Sequence, residues 1–361
     1  MHFERPTSQK PDFPVAKRIA FLGITALIGL MTGAIGFALA LRWYGDAFGP
    51  MLFGANRGLS IGRSLLSIEQ PLMSLAAPLE ESVVSIRRAR VNPSAPVRIV
   101  DTALHVGSGA LITSDGWIVT SHLPSAEAAY EVAVGGQAYQ VERAIADPYT
   151  GLFFLKTTLR DVRPVDLHDE SLAYGESAIR GARDSSGGFV LSATLISQPL
   201  YQSFVSASEA VHSTTALGEF VQLQEMEADG LYFNLRGQLI GLPAGKPARM
   251  VSSRHVKLSF EQLLRNQKDT DLGVTFVDVE LTAGRKAALL YHPTRNAVRS
   301  GSLAQRAGLV SGDTVVSVNG VPIDSSTPLT YLWRKFQHQE MIQFQVLRGG
   351  RELTLELEQK N

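Results

Sequence analysis

The chain has 361 residues, enough for two or three domains of about 150 residues each. Lys plus Arg and Asp plus Glu both total 34, so the formal charge is zero. With no basic block either, the sequence lacks the electrostatic footprint of a nucleic-acid binder. There is no cysteine, which excludes thiol catalysis, zinc–thiolate sites and disulfides together, and no cofactor is expected.

From Ile19 to Leu41 the sequence runs without a charge. That exceeds the ~20 residues needed to cross a bilayer and the roughly 7–15 of a secretory apolar region. A retained transmembrane helix over 19–41 is therefore expected; Ala38 and Ala40 leave a cleaved signal as the competing reading. Arg5, Lys10, Lys17 and Arg18 precede the span, whereas only Arg42 and Arg57 follow it closely. The positive-inside rule then puts residues 1–18 in the cytoplasm and the bulk of the chain outside a bacterial inner membrane, in the periplasm. Gly29 and Gly33 form a GxxxG spacing that a Gly-rich span produces by composition alone.

Residues 42–76 carry Gly and Pro without a sustained period and read as a tether with one short helix. From there to about residue 266 the pattern changes to short β-branched or alternating runs, SVVSIRRARV, GWIVTSH, AYQVERAIA, LFFLKTT, GFVLSATLIS, EFVQLQEM and LYFNLRGQLIGL among them. Gly, Asp or Pro punctuates them every ten or so residues, the rhythm of an all-β barrel or sandwich. Helical spacing over Ser259–Gln267 interrupts it, and the polar run NQKDT marks a boundary near 266–270. Residues 269–361 then restart with LGVTFVDVEL, an amphipathic stretch TAGRKAALL, SLAQRAGLVSGDTVVSVNGVPI and a helix-like PLTYLWRKF. They end on two strands joined at Arg348-Gly349-Gly350-Arg351, a hairpin by its turn chemistry.

An N-terminal anchor, GSGALITSDGWIVT, DPYTGLFFLK, NLRGQLIGL and AGLVSGDTVVSVNGVPI, in this order, resemble the HtrA (Deg) serine proteases, and the layout is most similar to the DegS type. The resemblance implies a chymotrypsin-like double β-barrel over 77–266 followed by a PDZ domain, usually assembled as a trimer through N-terminal apolar contacts. Phe48, Met51, Leu52 and Phe53 are the residues available for such contacts, although apolar groups beside a bilayer also lie on it.

A hydrolase of this type needs a nucleophilic hydroxyl, an imidazole base and a carboxylate that orients the imidazole. The family pattern places the base at Leu123, with His122 one residue early, where a one-residue slip turns a side chain to another face. It places the carboxylate at Gly151 and the nucleophile at Ala228. The glycine that helps form the oxyanion hole is replaced by Met226, and Glu227 and Asp229 bring two carboxylates beside a site meant for an anion. The expectation is a pseudoprotease, with no catalytic residue.

The run Arg183-Asp184-Ser185-Ser186-Gly187-Gly188 looks superficially like a nucleophile loop, but in the family pattern it falls between two strands, where Ser and Gly supply a turn. His105 and His122 are too few for a closed metal site, so no metal is expected. Trp117, Phe153 and Phe154 read as barrel core.

The C-terminal unit keeps its pattern. PDZ domains add an extended peptide to a sheet edge and seat its carboxylate on backbone N–H groups of an apolar-Gly-apolar loop. Leu272-Gly273-Val274 fits that loop, with Leu329, Leu332 or Trp333 on the facing helix. The expected function is a membrane-anchored scaffold, adaptor or regulator that binds protein C-termini or extended peptides, alone or in a hetero-oligomer with active family members. The competing expectations are an active serine endopeptidase in periplasmic quality control and a structural subunit of an inner-membrane complex.

Overall fold

The computed structural model describes residues 72–89, 102–201, 211–215, 217, 220–243, 249–281 and 284–359. The expected transmembrane span and residues 1–18 lie outside the described residues, and no helix among the described residues is long and apolar enough to cross a membrane. Residues 72–82 are helical (α1) and lead directly into the first strand.

Two closed six-stranded antiparallel barrels follow. The first contains β1 (Val83–Arg88), β2 (His105–Leu111), β3 (Trp117–Thr120), β4 (Tyr130–Val134), β5 (Gln137–Ala146) and β6 (Phe153–Thr157), closed in the order β1-β2-β3-β6-β5-β4. The second contains β7 (Ser177–Arg183) and β8 (Phe189–Tyr201). After the two-residue strand β9 (His212–Ser213), which leaves for another sheet, it resumes with β10 (Phe220–Leu223), β11 (Leu231–Phe233), β12 (Leu239–Pro243) and β13 (Arg249–Ser252). Closure removes the unpaired edges that strands of this apolarity would otherwise expose.

The period-2 pattern decides which barrel each face serves. On β1, Val84 and Ile86 point into the first barrel with Leu111, Ile118, Val132 and Leu155. Val83 points the other way, into a cluster shared by both barrels that includes Val119, Phe154, Ile179, Leu231 and Phe233. Trp117 and Phe154 belong to this shared core, as their sequence context predicts, and both rings pack on Phe260 at 5.5 and 5.6 Å. Phe260 comes from α2 (Ser253–Leu264), which starts six residues before the helical spacing read from the sequence. Its first turn, Ser253-Arg254-His255, is polar, so the apolar period becomes legible only at Val256 and Phe260.

The chain then builds the third sheet from β14 (Thr275–Glu280), β15 (Lys286–Leu290), β16 (Thr314–Val318), β17 (Val321–Pro322), β18 (Met341–Arg348) and β19 (Arg351–Glu358), with the short helix α3 (Leu303–Arg306) and α4 (Leu329–Phe336). Most of the amphipathic TAGRKAALL stretch is the strand β15, held in place by ladders to β14 and β16 on its two sides. The last two strands pair from Met341↔Glu358 to Arg348↔Arg351, so the hairpin turns at Gly349-Gly350 as expected. The sheet order is β19-β18-β16-β15-β14-β9, and the outermost strand is therefore supplied by the segment between two strands of the second barrel.

Candidate functional site

Leu123, at the position of the expected base, is 5 % exposed and packs in the first barrel's core; its neighbour His122 is exposed. Gly151 lies in the turn before β6 with a φ of +74°, a left-handed conformation that a side chain adopts only at a cost. Its N–H donates to the Asp147 carbonyl at 2.8 Å. Ala228 is exposed and Met226 half-buried, on the loop that enters β11.

That loop is pinned by charges. Asp229 turns its carboxylate inward onto β2, where Oδ1 accepts from the Ser108 N–H at 2.9 Å and Oδ2 from the Ser108 hydroxyl at 3.0 Å. The Ser108 hydroxyl in turn accepts from the Arg183 N–H at 2.8 Å. Arg180, on β7, donates from Nε to the Asp229 carbonyl at 2.8 Å and pairs with Glu227 at 2.8 Å. The Glu227 N–H donates to the Tyr232 hydroxyl at 3.0 Å. Glu227 and Asp229 bring the negative charge expected from the sequence, and Asp229 is in addition a structural anchor. Its visible signal is an acidic residue where the family pattern has glycine, opposite a Gly-Ser-Gly strand that leaves room for it. A Cβ at Gly107 would stand 3.1 Å from Asp229 Oδ1 and 4.0 Å from the His122 Cβ.

Ser186 lies in the tight turn between β7 and β8. Its hydroxyl donates to Asp184 Oδ1 at 2.6 Å, and the same oxygen accepts from the N–H groups of Ser186 and Gly188. These bonds hold the Asp184 carboxyl below the usual range. The arrangement is an Asx-type turn.

One serine–imidazole contact was not foreseen. Ser85 Oγ on β1 and His105 Nδ1 on β2 are 3.1 Å apart, and Arg87 Nε donates to the same hydroxyl at 3.3 Å. Burial pushes the His105 pKa below its ordinary value, helped by Arg87 and opposed by Asp229 and Asp184. Ser85 is 1 % exposed, on the rim of a cleft of about 400 Å³ also lined by Arg87, Glu131, Tyr139 and Ser186. Pairing of these residues was invisible in sequence because β1 and β2 are joined by a long connection. Among the described residues, no group of three or more His, Asp or Glu could hold a metal ion.

In the third sheet, Gly273 has a φ of +81°, and a Cβ there would lie 2.3 Å from the Ser302 Cβ, so only glycine fits. Leu272 and Val274 are buried with Leu329, Leu332 and Trp333 in one core. The Gly273 N–H donates to Asp271 Oδ1 at 2.8 Å, and Asp271 pairs with Arg299 at 2.7 Å. The free edge expected at β14 carries β9, with Thr275 opposite Ser213 and Phe276 opposite His212.

The two regions are tied together at Asp147. Arg334, on α4, is 3 % exposed and lies 3.2 Å from Asp147 Oδ1, with its guanidinium carbon 4.0 Å above the Tyr149 ring. Asp147 Oδ2 also accepts from the hydroxyls of Ser259 at 2.6 Å and Thr150 at 2.5 Å. Burial raises the Asp147 pKa, but the Arg334 charge and these hydroxyls outweigh it and hold the carboxyl below its usual range.

A family model described as a PDZ domain matches residues 270–358. Curated relatives described as "Probable periplasmic serine endoprotease DegP-like" include one from Pseudomonas putida, 25 % identical over 71 % of this chain and 56 % of its own length. Another, from Marinomonas, is 26 % identical over 69 % of this chain and 56 % of its own length. The chain thus spans a little over half the length of the relatives it matches. A solved structure described as "HtrA-type protease AlgW with tripeptide" covers 80 % of this chain and 95 % of its own, with a TM-score of 0.52 and 17 % identity. The chain is thus a pair of closed six-stranded barrels followed by a PDZ domain, similar to proteins described as periplasmic serine endoproteases and, in fold, to an HtrA-type protease.

Proposed function

We propose that this chain is a membrane-anchored periplasmic member of the HtrA type that binds peptide segments without cleaving them. The observation that carries this reading is the loop at Ala228, which offers no hydroxyl and turns the Asp229 carboxylate onto Ser108 at 2.9 and 3.0 Å. Proteolysis of this type requires N–H groups aimed at a developing oxyanion. Here the carboxylates of Asp229 and Glu227 flank Ala228, so negative charge occupies the neighbourhood. Leu123 inside the barrel core and Gly151 in a left-handed turn support the same conclusion, since the first side chain packs away from the loop and the second position carries no carboxylate.

Function then falls to the PDZ domain, whose Leu272-Gly273-Val274 loop, β14 edge and α4 supply the parts for strand addition, with Leu329 and Leu332 packed in the core beneath them. Such a chain acts as a scaffold, adaptor or regulator for proteins with exposed C-termini. The anchor over 19–41, with its flanking Arg and Lys, supports the inner-membrane location.

A serine endopeptidase is the second reading. The descriptions of the relatives favour it, and the Ser85–His105 contact at 3.1 Å is its structural footing. Incubating the purified full-length protein with reduced, unfolded α-lactalbumin and reading new N-termini by mass spectrometry separates the two. Retention of intact substrate is expected; processive appearance of new N-termini would favour the endopeptidase.

A further inference from the structure

A peptide that binds a PDZ domain adds to the strand after the apolar-Gly-apolar loop, in the slot between that strand and the facing helix. In this chain the strand is β14, and its outer edge is already paired with His212 and Ser213. The pairing is antiparallel, so the segment runs on from Ser213 through Thr214 toward Val274 and Gly273, the end where a ligand's carboxylate belongs. Thr214 and Thr215 line the same small cavity as Trp333, Arg334 and Gln337 of the helix side, which places the segment in the slot.

The contacts are those of a ligand. The His212 ring lies 5.5 Å from the Phe276 ring, and its Nε2 is 3.9 Å from Asp278 Oδ2. Thr214 is 4 % exposed, and its hydroxyl donates to Asp271 Oδ1 at 3.3 Å. That same oxygen takes the Gly273 N–H at 2.8 Å, so a carboxylate of the chain itself stands at the loop amide.

We propose that residues 211–215 are an internal ligand that closes the PDZ groove, so that an incoming peptide binds only by displacing β9 from β14. The inference rests on the peptide-capture reading above and adds its regulation. The backbone ladder between the segment and β14 spans two residue pairs, short enough for a longer peptide strand to outcompete.

The absence of cysteine makes the test clean. Facing antiparallel residues have Cβ atoms about 4.5–5.5 Å apart, close to disulfide range. The full-length protein carrying Ser213→Cys and Thr275→Cys is oxidised mildly, and the cross-link is read by intact mass. Binding is measured by polarisation of fluorescein-labelled decapeptides, randomised except for a C-terminal Leu or Val, to the oxidised form, the reduced form and a variant with residues 212–215 replaced by glycine. The expected result is near-complete cross-linking, at least tenfold weaker binding by the oxidised than the reduced form, and at least tenfold tighter binding by the glycine variant than by the native chain. Failure of the folded protein to cross-link, or equal binding by oxidised and reduced forms, would overturn the inference. Efficient cross-linking with no binding even by the glycine variant would support the occupied groove while defeating the peptide-capture reading.

Discussion

Arg334 and Asp147, separated by 187 residues in sequence, form an ion pair at 3.2 Å with side chains only 3 and 9 % exposed. One comes from the helix that walls the PDZ groove and the other from the first barrel, so two domains share a charge pair that water barely reaches. Removing one partner of such a pair leaves a buried charge uncompensated, at a cost of about 3–5 kcal/mol. Arg334→Ala is expected to lower the urea midpoint accordingly, and Asp147→Asn with Arg334→Met to recover most of the loss. Urea unfolding followed by tryptophan fluorescence checks this.

The same pair sets an acid limit. A carboxyl held below its usual pKa in the folded state stabilises above its unfolded value, near 3.8, and the benefit is lost as pH falls through the folded value. Without Arg334 that depression goes, so acid unfolding of Arg334→Ala should begin at higher pH than in the native chain. Identical acid midpoints by circular dichroism would contradict the assignment.

Asp229 is predicted to matter for stability and Glu227 much less. Asp229→Ala strips acceptors from the buried Ser108 N–H and hydroxyl, an expected loss of about 1–3 kcal/mol. Glu227→Ala removes an exposed partner of Arg180, worth under about 1 kcal/mol. Denaturant midpoints of the two variants should differ in that order.

The strand rhythm and the PDZ hairpin are legible because alternation and turn residues are local signals. What escaped were contacts made across the fold. Asp229 meets Ser108 across 121 residues, and His212 and Ser213 form a strand only because β14 offers its edge. A two-residue strand has no period to detect. The start of α2 was missed because its first turn is polar, and its placement comes from packing of Val256 and Phe260 on the shared core.

His105 offers a direct probe of the Ser85 neighbourhood. Its pKa lies below the ordinary 6.5, chiefly through burial, so the ring is neutral at pH 7. Its contribution to stability is therefore present above pH 6.5 and is lost as pH falls through the folded value. Asp229→Asn, which removes an attractive charge, should lower the His105 midpoint further, and Arg87→Ala should raise it. Titration of the imidazole C–H resonances by NMR distinguishes these directions.

The most direct test of cleavage-free binding is labelling by a fluorophosphonate, which reports any activated serine hydroxyl. The full-length protein should stay unlabelled beside a labelled trypsin control, and Ser85→Ala and Ser186→Ala should change nothing. Stoichiometric labelling of the native chain that disappears in either variant would show a working nucleophile and contradict the account.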